Sequence, residues 1–187
     1  MAKAEYRSAI RSKRLIVEAL AEVLQEKPLD KITVTDVVAR AEINRGTFYA
    51  HYADIPDVIN HLIHSTFSKI EDVLRIEPSR LHQLPEALLG YIRDMLAEDM
   101  DFYTKVMASS AAPVLQEQLV KTVVEYLLQH EQDYGFGNHE KYVLTIRFCA
   151  GGLSSLYRDW FDGKLDMSLD ELTVNAQKML TGVMAMN

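Results

Sequence analysis

The sequence is poor in the features that mark several classes of protein. Its single cysteine, Cys149, excludes an intramolecular disulfide and fits a reducing compartment. The longest stretches without Asp, Glu, Lys, Arg or His, residues 106–116 and 148–157, are too short to cross a bilayer. The polar, basic stretch after Met1 lacks the apolar segment of a secretory signal peptide. We therefore predict a cytoplasmic protein that has no membrane segment.

Motifs for catalysis and cofactor binding are also missing. Ser154 and Ser155 lie outside any G-x-S-x-G motif, and the chain contains neither G-x-x-x-x-G-K-[ST] nor G-x-G-x-x-G. His61 and His64 are three residues apart, a spacing that could pair them on a metal, but we interpret them as ordinary polar positions of a helix. The sequence thus predicts no enzyme, no cofactor and no metal site.

What the sequence does contain is helical periodicity along most of its length. Apolar residues recur at spacings of three and four, and no segment alternates as a strand would. The pattern predicts an all-α protein of about nine helices, the first over residues 6–25 and the eighth over residues 140–161. Breaks are predicted at residues 78–85 and 132–139, where proline or glycine interrupts the pattern.

One stretch, KITVTDVVARAEINRGTFYAHYADIPD at residues 31–57, has the pattern helix, tight turn, helix. Thr33 is suited to cap the first helix, with Asp36 three residues later as its capping-box partner. Asn44 is suited to cap a second, short helix over residues 45–52. Phe48 and Tyr52 are four residues apart and share the apolar face of that helix.

The opposite face of the second helix combines small, hydroxyl and cationic groups and contains no carboxylate, although the chain is acidic overall. Its residues are Arg45, Gly46, Thr47, Tyr49, Ala50 and His51. A short helix that is anchored by aromatic rings and presents such groups outward suits the major groove of DNA.

The distribution of charge supports this interpretation despite a net charge of −7. Residues 1–52 carry a balance of +2, and residues 53–187 carry −9. The basic end can neutralise phosphates, while the acidic body is repelled by DNA and determines which end docks. A solvated basic tail would give the same charge pattern, but it would not explain the neighbouring helix-turn-helix.

The runs ITV at residues 32–34, VARA at residues 38–41 and RGTFYAHY at residues 45–52 resemble the DNA-binding domain of TetR/AcrR-type transcriptional regulators. The motif densely covers the first quarter of the chain, and the remainder fits by length and helical pattern. Two residues depart from the family pattern: Glu42 replaces a turn glycine, and Ile55 replaces a lysine that often contacts phosphate.

The resemblance implies a helix-turn-helix domain over residues 1–53 and a helical regulatory and dimerisation domain over residues 54–187, with the fourth helix linking them. It also implies a homodimeric repressor that binds double-stranded DNA at a palindromic operator and is released by a small-molecule effector. The residues predicted to contact DNA are Thr33, Thr35, Asn44, Arg45, Gly46, Thr47, Tyr49, Ala50 and His51.

The C-terminal body yields two further hypotheses. Aromatic, methionine and cationic side chains could line an effector pocket or simply form a helical core: Tyr91, Met95, Phe102, Tyr103, Met107, Tyr126, Arg147 and Trp160. Arg147 would pair with an anionic ligand or with Asp94, Asp99 or Asp101.

Small and apolar residues of the last two helices are predicted to form the dimer interface: Gly151, Gly152, Ser155, Leu172, Ala176, Met179 and Val183. Packing inside the chain is the alternative explanation for the two glycines. The rival to an effector-controlled repressor is a co-regulator of the same fold that is switched by a protein partner.

Overall fold

The computed structural model describes residues 2–75, 83–134 and 137–185, and the regular elements of these residues are all helical. Within the described residues, the 3-10 helices Leu29–Lys31 and Glu131–Tyr134 accompany nine α-helices. The α-helices are α1 (Ala2–Val23), α2 (Val34–Arg40), α3 (Arg45–Tyr49), α4 (Ile55–Leu74), α5 (Leu84–Glu98), α6 (Met100–Met107), α7 (Ala112–Gln129), α8 (His139–Phe161) and α9 (Leu169–Ala185). The all-α prediction is confirmed.

Several predicted boundaries differ from the observed ones. α1 begins at Ala2 rather than at residue 6, and α3 ends at Tyr49 rather than at residue 52. The break predicted at residues 78–85 lies largely outside the described residues, as do positions 135–136 of the loop predicted at residues 132–139. In the part of the chain that the structure describes, no helix combines the length and hydropathy needed to span a membrane.

The described chain divides into two compact units. Unit 1 comprises Met1–His64 and Asp101–Leu115, and unit 2 comprises Ser65–Met100 and Gln116–Asn187. Unit 1 thus includes α6 and the start of α7, which the sequence analysis had assigned to the C-terminal domain. The boundary after residue 53 remains a prediction.

The core of unit 1 collects the apolar faces of its helices. Its fully buried side chains include Ile16 of α1, Val37 of α2, Phe48 of α3 and Val58 of α4. At the edge of this core, Arg40 of α2 donates hydrogen bonds to two glutamates in and just after α1, Glu22 at 3.3 Å and Glu26 at 2.6 Å. These contacts fix α2 against α1.

The turn between α2 and α3 has a left-handed residue. Glu42 adopts φ 52°, a conformation that favours glycine. The Ile43 N–H donates to the Val38 carbonyl at 3.1 Å and the Glu42 N–H donates to the Ala39 carbonyl at 3.4 Å. This is the hydrogen-bond pattern of a Schellman motif, which closes α2 and redirects the chain into α3.

Glu42→Gly is therefore expected to stabilise the protein, by about 0.5–1 kcal/mol. Glycine removes the strain of a left-handed L-residue, roughly 1–2 kcal/mol, and part of that gain is lost to its larger unfolded-state entropy. The Glu42 side chain is exposed, so no core contact is lost. Urea denaturation followed by circular dichroism would measure the change. A lower free energy of unfolding would show that the glutamate side chain itself stabilises the turn.

Unit 2 has its own core, in which buried tyrosines cap helix ends. The Tyr134 hydroxyl donates to the carbonyl of Leu74, the last residue of α4, at 2.9 Å, and the Tyr142 hydroxyl donates to the Leu127 carbonyl at 2.6 Å. Burial raises the pKa of both tyrosines above the ordinary value. Gly163, with φ 69°, follows α8 as the C-terminal stop that the sequence predicts.

Candidate nucleic-acid interface

The start of α2 is held by a reciprocal capping box. The Asp36 N–H donates to the Thr33 hydroxyl oxygen at 3.3 Å, while the Thr33 N–H and hydroxyl both donate to the Asp36 carboxylate at 2.9 Å. Lys27 adds a salt bridge to the same carboxylate at 2.5 Å. The Thr33 hydroxyl proton is thus engaged within the protein, where it holds the helix start, and the contact of Thr33 with DNA stays a prediction.

These contacts predict a pH dependence of stability. The hydrogen bond from Lys27, followed by those from Thr33, lowers the pKa of Asp36 from 3.8 to about 2. Between about pH 4 and about pH 2 the unfolded chain therefore binds a proton that the folded chain does not, so the stability due to Asp36 is lost as pH falls. In denaturant titrations, the difference in the free energy of unfolding between wild type and Asp36→Asn should become smaller as the pH falls through this interval. A constant difference would contradict the assignment.

The start of α3 is held by Asn44. Its side-chain oxygen accepts from the Thr47 N–H at 2.7 Å and from the Thr47 hydroxyl at 3.1 Å. The predicted cap is therefore present. Because the Thr47 hydroxyl proton is donated to Asn44, Thr47 can offer a base edge an acceptor oxygen and a methyl group. A Cβ added at Gly46 would lie 3.1 Å from the Asn44 side-chain oxygen, so this glycine leaves room for the cap.

Two aromatic rings anchor α3 on its inner side, as predicted. Phe48 is 0% exposed, and its ring centroid lies 6.0 Å from that of the buried Tyr52. Ile43 packs against the same core. A helix of five residues does not form without such tertiary contacts, so these rings determine the position of α3.

Tyr52 also connects α3 to its neighbours in unit 1. Lys13 of α1 lies 5.9 Å from the centre of its ring, and the His61 ring of α4 lies 5.4 Å away. Burial, together with the Asp57 charge, raises the pKa of Tyr52 to about 12. Burial and the Lys13 charge lower the pKa of His61, which favours a neutral imidazole. Sequence periodicity predicted none of these contacts.

The outer side of this helix-turn-helix forms what we call the recognition face. Its members are exposed or half-buried and include no carboxylate: Thr35, Asn44, Arg45, Gly46, Thr47, Tyr49, Ala50 and His51. Tyr49 is 55% exposed, although its ring touches that of Phe48 edge-on at 5.5 Å between centroids. Arg45 of α3 donates to the Thr35 hydroxyl of α2 at 2.7 Å. The structure thus places these predicted residues on α2 and α3, at the two ends of α3 and in the turn that follows it.

The residues predicted to line an effector pocket belong to both compact units. Phe102, Tyr103 and Met107 belong to unit 1, and the others belong to unit 2. The side chain of Arg147 is exposed on α8, and its pairing with an anionic ligand or a carboxylate stays a prediction. Tyr126 stacks on His130 with 4.1 Å between ring centroids.

The predicted interface residues differ in exposure. Gly151, Gly152 and Ser155 of α8 and Met179 of α9 are exposed, and Val183 is half-buried. Leu172 and Ala176 are buried inside the chain. Sequence reasoning missed Leu144 and Phe148, which are 70% and 71% exposed on α8. Their spacing of four, continued at Gly151 and Ser155, was the available signal for a shared face.

Comparison with known families gives two matches along the chain. The model described as "Bacterial regulatory proteins, tetR family" matches residues 16–62. The model described as "Transcriptional regulator C-terminal region" matches residues 83–182. Between them, the two models include the whole recognition face and most of the helices that follow it.

Two relatives from Bacillus subtilis (strain 168) are similar over part of the chain. The uncharacterized HTH-type transcriptional regulator YxbF is 32% identical over 74 residues, which are 39% of this chain and 20% of the relative. The uncharacterized HTH-type transcriptional regulator YvdT is 35% identical over 60 residues, 30% of this chain and 31% of the relative. The chain therefore spans less than a third of the length of either relative.

Two solved structures share the fold at low identity. The fatty acid degradation regulator FadR from Bacillus halodurans superposes with a TM-score of 0.65 at 16% identity, covering 91% of this chain and 95% of its own. The dihydroxyacetone kinase operon activator DhaS superposes with a TM-score of 0.54 at 20% identity, covering 91% and 94%. The helical arrangement along most of the chain is therefore one that other regulators also adopt.

Proposed function

The chain belongs to the TetR family of bacterial transcriptional regulators, and from that premise we propose that it is a homodimeric repressor of a palindromic operator. The recognition face carries the proposal: a capped, aromatic-anchored helix that presents cationic, hydroxyl and small groups without a carboxylate. Such a surface has no charge that would repel the phosphates or the electronegative edges of the bases.

We assign the members of the recognition face to two tasks. Arg45, Thr47 and the small residues Gly46 and Ala50 lie closest to base edges, where a bidentate arginine distinguishes guanine. The Asn44 amide, whose oxygen is used in the cap, retains its N–H donors for the DNA. Tyr49 and His51 hold phosphates and fix the position of the protein on the duplex.

We propose a palindromic operator because a two-fold dimer would present two recognition faces to two equivalent half-sites of the DNA. α8 carries an exposed apolar face formed by Leu144, Phe148, Gly151, Gly152 and Ser155. In the described part of the chain, and apart from its own helix, no atom lies within 4 Å of a Cβ added at either glycine. Packing inside the described chain therefore does not explain these glycines, whereas close approach of a second copy does.

For the effector we propose a small, largely apolar molecule that is bound by unit 2. The supporting residues are half-buried side chains with large apolar bodies, of which the aromatic ones also carry polar tips: Tyr91, Met95, Tyr126 and Trp160. Binding would change the separation of the two recognition faces in the dimer and so release the operator.

The decisive experiment is selection of bound sequences from random duplex DNA at fixed salt, with wild type, Arg45→Ala and Arg93→Ala. Wild type and the unit 2 variant Arg93→Ala should enrich the same palindrome. Arg45→Ala should lose about 1–3 kcal/mol of discrimination at one position of each half-site. Weak, sequence-neutral binding by wild type would contradict the proposal and favour a co-regulator that is switched by a protein partner.

A further inference from the structure

One side-chain hydrogen bond of the recognition face joins its two helices. The Arg45 Nη2 donates to the Thr35 Oγ1 at 2.7 Å, between residues ten apart in sequence. Thr35 stands in the first turn of α2, between the capping-box residues Thr33 and Asp36. Arg45 is the first residue of α3. The contact thus ties the first side chain of the recognition helix to a helix start that is itself fixed.

The other threonine hydroxyls at these helix starts have different partners. The Thr33 hydroxyl donates to Asp36, and the Thr47 hydroxyl donates to Asn44, so each serves the cap of its own helix. The Thr35 hydroxyl instead accepts a hydrogen bond from the side chain that we assign to base contact. Since the recognition face contains no carboxylate, this hydroxyl supplies an oxygen that orients the guanidinium without neutralising its charge.

We propose that Thr35 is a positioning residue that sets the Arg45 guanidinium in the orientation needed for base recognition. This inference rests on the proposed function. Arginine has many rotamers, and ordering an exposed arginine on binding reduces affinity. The hydrogen bond to Thr35 uses one of five N–H donors and leaves the others to form a bidentate contact with guanine. Thr35 therefore acts on specificity through Arg45.

The alternative role for Thr35 is a direct contact with DNA in which its hydroxyl donates to a phosphate. The two roles predict different results. A phosphate contact adds the same binding free energy on every DNA sequence, because the phosphates are the same whatever the bases are. A hydroxyl that positions Arg45 adds binding free energy only on DNA where Arg45 meets its preferred base. This contribution disappears when Arg45 is absent.

The experiment measures affinity for the selected operator and for a random duplex, at one salt concentration. The variants are Thr35→Val, Thr35→Ser, Arg45→Ala and Thr35→Val/Arg45→Ala. Thr35→Val replaces the hydroxyl by a methyl group of similar size and should weaken operator binding about 3- to 10-fold. Its binding to the random duplex should change by less than about twofold, and Thr35→Ser should restore operator affinity. In the Arg45→Ala background, Thr35→Val should have no further effect.

Three results would overturn the proposal. An equal loss on both duplexes would make Thr35 a phosphate ligand. A loss that persists in the Arg45→Ala background would show that Thr35 acts independently of Arg45. Unchanged operator affinity in a Thr35→Val protein with wild-type unfolding behaviour would show that the hydrogen bond is not used. Failure of wild type to prefer any sequence would refute base recognition itself, a result visible without any variant.

Discussion

Replacing Phe48 by alanine should abolish DNA binding and lower the free energy of unfolding by about 3–5 kcal/mol. The Phe48 ring is 0% exposed and lies among the rings of Tyr49 and Tyr52 and the apolar residues of four helices. Its removal leaves a cavity directly beneath α3. A five-residue helix has no independent stability, so α3 should lose its position before the rest of unit 1 unfolds.

Tyr49→Ala is the matched control, since it removes an aromatic ring from the next position of the same helix. Tyr49 is 55% exposed, so its loss should change stability by no more than about 0.5 kcal/mol. Its loss should nevertheless weaken binding to all duplexes, because the proposed contact is to phosphate. Urea denaturation and binding titrations distinguish the two variants. Equal destabilisation by both would show that the inner and outer faces of α3 are assigned incorrectly.

Much of the DNA-binding region could be predicted because it depends on interactions between residues that are close together in the sequence. Capping needs residues three apart, as in Thr33 with Asp36 and Asn44 with Thr47, and the structure contains both caps. The burial of Phe48 and Tyr52 agrees with their spacing of four, although Tyr52 lies beyond the end of α3. In each case the cause and its effect lie within about one helical turn, so one sequence is enough to predict them.

Contacts between separate elements were not predictable in this way. The Lys27–Asp36 salt bridge and the Arg45–Thr35 hydrogen bond depend on how helices are oriented around a common core. The same limit applies to α8: its apolar character suggests burial, but part of that apolar surface, including Phe148, is exposed. Composition identifies an apolar helix without showing which side faces the chain's own core.

That exposed side gives the second large expected effect: Phe148→Glu should convert the proposed dimer into a monomer. Phe148 and Leu144 are 71% and 70% exposed in the single chain, and the neighbouring glycines leave space for another helix. In a two-fold interface the substitution places an unpaired carboxylate on each side, and a buried, unpaired charge costs about 3–5 kcal/mol. Sedimentation velocity should show a monomer at concentrations where wild type is dimeric.

The folded chain should tolerate this change, because an exposed side chain contributes little to its own core.

Gly152→Leu is a second variant of the same surface: its side chain has room in the single chain but would obstruct a partner helix. Val114→Glu, at another exposed apolar residue, is the control and should remain dimeric. If Phe148→Glu and Gly152→Leu also remain dimeric, α8 is not the interface. If both are monomeric and fold normally, loss of operator binding in the same samples would show that DNA recognition requires two copies.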